Sequence, residues 1–189
     1  MKCAKVKESP RLEGRRRVLK MGALLAAASC SPQVLAVEGT EKRTLAFVNL
    51  HTGESLETTY WLQGKYRSEP LHAISHILRD HRADALRPMD LDLLDLLYRI
   101  KLRLRTDEPF EVFSGYRTPA TNSLLRQRRS GVATRSLHML GQAVDVELPG
   151  RTLGELQQTA LALQAGGVGY YPATGFVHLD VGPVRHWRG

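Results

Sequence analysis

The chain is poor in cysteine, in aromatic residues and in long apolar runs. Its two cysteines, Cys3 and Cys30, are too few for a disulfide scaffold or a thiolate zinc finger. Both lie within the first 30 residues, so cysteine chemistry is excluded for the body of the protein. No apolar stretch reaches the roughly 18 to 20 residues that a membrane-spanning helix needs. The longest candidate, residues 21–29, covers only about half that thickness, which excludes a polytopic membrane protein. Aromatic residues make up 6% of the chain, beside 42% hydrophobic and 24% charged residues. That balance suits one globular domain with a modest core and excludes a disordered or fibrous protein.

The charge is unevenly spread. The formal net charge is +8 over 189 residues. Residues 1–36 hold Lys2, Lys5, Lys7, Arg11, Arg15, Arg16, Arg17 and Lys20 against Glu8 and Glu13, a net of +6. The remainder therefore carries only +2, which argues against nucleic acid as a partner.

In the leader, a basic segment precedes an apolar one, Met21-Gly22-Ala23-Leu24-Leu25-Ala26-Ala27-Ala28, and then a small-residue region from Cys30 to Ala36. This is the layout of a removable export signal. Gly14-Arg15-Arg16-Arg17-Val18-Leu19-Lys20 resembles the twin-arginine signal, with Val18 in place of the usual aromatic residue. It implies recognition by the twin-arginine export machinery and delivery to a periplasm. Cleavage after Ala36 would release a soluble protein and is favoured over lipid anchoring at Cys30, where Ala27-Ala28-Ser29-Cys30 loosely resembles a lipoprotein box. The expected organisation is an export signal over 1–36 and one domain over 37–189, without a membrane-spanning segment or internal repeat.

Within that domain, β-branched and aromatic stretches at 44–50 and 55–61 flank His51-Thr52-Gly53-Glu54 and predict a hairpin. Helices are expected over 71–82 and from Pro88 to Leu104, the second with Leu91, Leu94, Leu97 or Tyr98, and Lys101 or Leu102 on its inner stripe. A strand at 111–114, a helix from Pro119 to about residue 129 and a strand at 143–148 follow. Thr152 and Glu155 form a capping box for a helix through about Gln164. A final hairpin spans 168–171 and 176–181. The predicted class is α+β, with a small, mostly antiparallel sheet and flanking helices.

One segment concentrates chemistry: Ser136-Leu137-His138-Met139-Leu140-Gly141-Gln142-Ala143-Val144-Asp145. A histidine and a carboxylate are separated by a glycine turn and the start of a strand, and His178 stands on a later strand. Zinc accepts imidazole nitrogen and carboxylate oxygen, and its catalytic sites use three protein ligands with one open position. His138, Asp145 and His178 would supply that set for one zinc ion. A lone histidine is more often a polar residue satisfied by backbone; the joint pattern reverses that preference. His72 and His76 lie four apart on a predicted helix, but Ala73 stands where a zincin has its general-base Glu, so they read as helix surface. Arg126-Gln127-Arg128-Arg129 reads as a solvated helix end.

The Ser-x-His-x-x-Gly-x-Ala-x-Asp pattern followed by a late histidine resembles the zinc D-alanyl-D-alanine peptidase and hedgehog superfamily. Ser114-Gly115-Tyr116-Arg117-Thr118, Gly167-Val168-Gly169-Tyr170-Tyr171 and Gly175-Phe176-Val177-His178-Leu179-Asp180 resemble its murein endopeptidase branch. The resemblance covers about residues 40 to 189. It implies a periplasmic zinc enzyme that hydrolyses peptidoglycan cross-links, between D-alanine and diaminopimelate or between two diaminopimelate residues. It also places Arg117 as a clamp for a substrate carboxylate or developing oxyanion, with Tyr116 shaping the pocket. Gly175 and Phe176 occupy the positions where carboxypeptidase-type relatives carry a base. Asp180, on the same side of the strand as His178, and His186 are the remaining candidates to assist; pairing of Asp180 with Arg185 or Arg117 is the alternative role. Because this superfamily also contains binding proteins, a noncatalytic wall-binding or metal-stabilised module is the alternative to the hydrolase.

Overall fold

A hairpin begins the part of the chain that the computed structural model describes, residues 41–128 and 131–189. The export signal expected over 1–36, Cys30 included, lies outside the described residues. Strand β1 (Lys42–Asn49) pairs antiparallel with β2 (Ser55–Leu62). Asn49 closes the turn: its backbone accepts from Gly53 N at 2.8 Å, and its side chain accepts from His51 N at 2.9 Å. Gly53 supplies the positive φ of +71° that the turn requires.

A short strand β3 (Lys65–Tyr66) leads into helix α1 (Ser68–Ile77). The sequence predicts this helix over 71–82. It starts earlier because Pro70 is tolerated in a first turn, and it ends at Ile77, after which the buried Asp80 organises a loop. Helix α2 (Leu91–Leu104) opens three residues after the expected Pro88, because the Asp90 side chain accepts from Asp92 N at 3.0 Å and so caps the helix there. Its buried stripe is Leu93, Leu94, Leu96, Leu97 and Ile100, while Leu102 is exposed, a correction to the predicted face.

Strand β4 (Phe110–Ser114), helix α3 (Pro119–Arg128), a 3-10 turn (Leu137–Leu140) and strand β5 (Ala143–Glu147) follow. Helix α4 (Leu153–Leu163) carries the predicted capping box between Thr152 and Glu155. Strands β6 (Gly167–Tyr171) and β7 (Phe176–Asp180) form the expected hairpin. Strand β8 (Arg185–Arg188) was not foreseen.

The class is α+β, as predicted, but the sheet is neither small nor of one sense. Among the described residues, eight strands run in the order β3-β2-β1-β4-β5-β7-β6-β8. The β1–β4 and β6–β8 pairs are parallel and the other five antiparallel. Strand β4 returns parallel to β1 after β2, β3 and the helices α1 and α2, and β8 returns parallel to β6 after the intervening β7.

Side chains alternate across the central strands. Val144 and Val146 of β5, with Val177 and Leu179 of β7, join the apolar core beside Leu93, Leu97, Leu156 and Ala160 of the helices. The intervening residues, Asp145, His178 and Asp180, therefore face the other side of the sheet. No helix among the described residues is long and apolar enough to cross a membrane.

Candidate metal centre

The strand register draws one row of residues across the sheet. Ser114 lies opposite Asp145, Asp145 opposite His178, His178 opposite Gly169, and Gly169 beside Trp187. His138 joins them from the 3-10 turn, which Gly141 ends with a φ of +73°. A Cβ at Gly141 would meet the Pro88 carbonyl at 2.6 Å, so a side chain is excluded there by space as well as by conformation.

His138 Nε2 lies 3.2 Å from Asp145 Oδ1 and 3.1 Å from His178 Nδ1, and His178 Nδ1 lies 2.8 Å from Asp145 Oδ1. Two donors on one tetrahedral ion with bonds near 2.0 Å stand about 3.3 Å apart. The three atoms are thus spaced as a divalent ion would need them, and all three lie within 4.8 Å of one another.

The other nitrogen of each ring is committed. His138 Nδ1 donates to the Gly115 carbonyl at 2.7 Å, which leaves Nε2 with its lone pair toward the cluster. His178 Nε2 donates to Asp180 Oδ2 at 3.0 Å, which turns Nδ1 inward. Such outer partners fix tautomer and ring orientation in metal sites.

Burial and the mutual hydrogen bonds act in opposite senses on the protonation of the cluster. Burial pushes the His138 imidazole toward its neutral form and lowers its pKa. For Asp145 burial acts against ionisation, but His138 and His178 outweigh it and hold the carboxyl well below its usual range. His178 is also opposed by burial, yet its bonds to Asp145 and Asp180 raise its pKa.

Arg117 lies at the cluster. Its guanidinium donates to the outer oxygen of Asp145, reaches His138 Nε2 at 3.2 Å and is braced by Ser114 Oγ at 2.8 Å. Tyr116 does not share the site: it is half-buried against the core and borders a separate depression beside residues 86–92 and Leu140. Consecutive residues point to opposite sides of an extended segment, so Arg117 and Tyr116 cannot both face the cluster.

Asp180 is fully buried behind His178. Its oxygens accept from Gly167 N and Gly182 N, each at 2.9 Å, from Arg185 at 3.2 and 2.7 Å, and from His178. Burial would raise its pKa, but these bonds, with His178 foremost, lower it strongly. Of the two expected roles, pairing with Arg185 is what the geometry shows, together with orientation of His178. His186 is exposed and does not line the cleft, whereas its neighbours Arg185 and Trp187 do. Strand alternation turns it to the opposite face, which corrects the expectation that it assists at the metal.

Trp187 is the residue that sequence reasoning missed. Its ring centroid stands 5.2 Å from that of His178, and its Nε1 donates to the Tyr171 hydroxyl at 2.8 Å. It reaches the cluster across Gly169, where a Cβ would come within 2.6 Å of the indole. Glycines at alternate positions of Gly167-Val168-Gly169 were the available signal, since glycine inside a strand marks close approach of another group.

The cluster opens into a cleft of about 680 Å³. Phe113, Tyr171, Phe176 and Trp187 form one wall, with Phe113 and Phe176 at 5.5 Å and Tyr171 stacked on Phe176 at 4.7 Å. Among the described residues that line it, Asp145 is the only carboxylate. His72 and His76 are exposed on α1, away from this cleft, and Arg126 and Arg128 are exposed at the end of α3; Arg129 lies outside the described residues.

A family model described as peptidoglycan L,D-endopeptidase MepK matches residues 37–187. The peptidoglycan L,D-endopeptidase MepK of Escherichia coli K12 is 42% identical over 175 residues, which cover 92% of this chain and 96% of that protein. The protein of the same name from Shigella flexneri is similar to the same extent. The probable peptidoglycan L,D-endopeptidase MepK of Haemophilus influenzae is 38% identical over 181 residues, 94% of this chain and 97% of that protein. No solved structure matches the chain significantly. A match running through the row of β4, β5, β7, β6 and β8, at this identity and coverage, means that the chain belongs to the MepK family of peptidoglycan L,D-endopeptidases.

Proposed function

We propose that this protein is an exported zinc metallopeptidase that hydrolyses peptide cross-links of peptidoglycan in the periplasm. Family membership supports the reaction and the substrate, and the twin-arginine-like leader over 1–36 supports the compartment. Of the two cross-links considered from sequence, the L,D designation of the relatives favours the bond between two diaminopimelate residues over that between D-alanine and diaminopimelate. The fold that this reading implies is that of the D-alanyl-D-alanine peptidase and hedgehog superfamily.

One observation carries the proposal. Three donor atoms converge, and each histidine has its other nitrogen tied to a fixed acceptor. His138 Nε2, Asp145 Oδ1 and His178 Nδ1 would hold one zinc ion, a borderline ion that suits a two-imidazole, one-carboxylate set. Bound there, zinc would supply Lewis-acid polarisation of the scissile carbonyl and a water acidified toward neutrality.

The chain's own residues do the rest. Gly115 and Asp180 hold the two imidazoles in the tautomers that ligate. Arg117 balances Asp145 and presents further N–H donors toward the cleft, where a carbonyl oxygen gaining charge would accept them. Asp180, saturated and buried, acts as a positioning residue through His178. The aromatic wall, ending at Trp187, offers a flat apolar surface along which a peptide strand can lie.

The decisive experiment incubates the purified protein with cross-linked muropeptides, with and without a chelator, beside His138→Ala. Dimers should be consumed only by the zinc-loaded wild type, and His138→Ala should lose at least about a thousandfold in rate. Intact dimers despite full metal loading would instead identify a noncatalytic wall-binding module.

A further inference from the structure

The cleft holds more positive charge than the metal centre uses. Among the described residues, Arg82, Arg117, Arg135 and Arg185 all line it, against Asp145 alone. This segregation is marked, because residues 37–189 as a whole carry a net charge of only +2. Arg117 is committed to Asp145 and Arg185 to Asp180. Arg82 and Arg135 have no carboxylate within ion-pair distance among the described residues, and both are exposed at the rim.

Arg82 hangs from backbone tied to the cluster, and Arg135 lies close to it in the chain. Arg82 N donates to Asp80 Oδ1 at 3.1 Å, while Asp80 Oδ2 accepts from Thr118 N at 2.8 Å and Thr118 Oγ1 at 2.9 Å. Asp80 is only 2% exposed, so a buried carboxylate staples the Arg82 loop to the residue that follows Arg117. The loop is braced again by the Arg79 guanidinium on Glu54 at 2.7 Å and Asp84 at 2.9 Å. Arg135 stands three residues before His138, next to the buried Ser136.

We propose that Arg82 and Arg135 form a carboxylate-recognition subsite that selects peptides bearing a free carboxylate on a residue flanking the scissile bond. The proposal rests on the hydrolase reading above and names the feature of the substrate that the cleft discriminates. A planar guanidinium matches a carboxylate bidentately, and its fork loses less on ordering than an ammonium would. A clamp on the rim fixes the direction in which the peptide crosses the metal centre, with its apolar side against Trp187 and Tyr171. Arg117, at the cluster itself, is left for the reacting carbonyl.

The test uses zinc-loaded full-length protein and two cross-linked muropeptide dimers. In one the diaminopimelate carboxylate is free; in the other it is a carboxamide. The wild type should favour the free acid by about ten- to a hundredfold in kcat/KM, the worth of a charge-assisted hydrogen bond. In Arg82→Gln and Arg135→Gln the ratio should fall toward one, with the loss in KM and not in kcat. Binding of both dimers to His138→Ala, followed by isothermal titration calorimetry, should show the same preference without turnover. Hydrolysis of both dimers at equal kcat/KM, or a ratio unchanged in both arginine variants, would overturn the subsite and leave the hydrolase intact. Absence of hydrolysis with a preserved binding preference would overturn the hydrolase and leave the subsite.

Discussion

The two faces of strands β5 and β7 share one backbone and obey different rules. On the inner face, Val144, Val146, Val177 and Leu179 are sealed from solvent by helices and contribute through area removed from water. On the outer face, Asp145, His178 and Asp180 are also buried or nearly so, but every polar atom there has a named partner. The first face tolerates a change of shape at a graded cost, whereas removing one partner on the second leaves a buried polar group unpaired. The apolar face places the strands, and the polar face uses that placement.

Three substitutions sharpen this contrast, in descending order of expected effect. Leu179→Ala should cost about 2–5 kcal/mol of folding stability by urea titration, through lost burial and the cavity left behind. The folded fraction should keep its zinc affinity; loss of affinity at unchanged stability would blur the division between faces. Asp180→Asn should weaken zinc binding by about ten- to a hundredfold in a competition titration with a chelating dye, because His178 loses the acceptor that turns it. Unchanged affinity would mean that the strand alone orients the ring.

The third substitution lies away from the site. Asp95 on α2 accepts from Arg43 at 2.6 Å, Tyr60 at 2.7 Å and Tyr66 at 2.8 Å, joining the helix to β1, β2 and β3. Burial would raise its pKa, but these three donors lower it. Its contribution is therefore present above the pKa of the unfolded carboxyl and is lost as pH falls through the lower, folded value. Asp95→Asn should cost about 1–2 kcal/mol near neutrality. The gap between variant and wild type should close in acid, and a gap that persisted there would show that the carboxylate charge is irrelevant.

Much of this architecture is legible in the sequence, for local reasons. The hairpin at β1 and β2, the capping box at Thr152 and the final β6–β7 pair are specified by residues within a few positions of one another. His138, Asp145 and His178 stood out because their residue types and intervening glycine form a dense pattern. What escaped was non-local. Arg185-His186-Trp187-Arg188 has no apolar alternation, and it becomes a strand only by parallel pairing with β6. Without that pairing, the side of the strand on which His186 falls had no basis, and Trp187 could not be connected to His178. The orientation of Tyr116 depended in the same way on its backbone bond to Leu78, an element distant in sequence. The start of α2 is ambiguous in the sequence because Pro88 and Asp90 are both acceptable openings, and the Asp90 side-chain bond decides between them.

The direct opposition of Asp145 and His178 makes the candidate metal centre depend on a spatial reading frame. Insertion or deletion of one residue inside β7 would bring Val177 or Leu179 to the place of His178 and turn the imidazole into the core. Changes of chain length compatible with activity are thus confined to connections such as the turn at 172–175. Connections that carry none of the site residues are free to differ in length, while β5 and β7 cannot change in residue count.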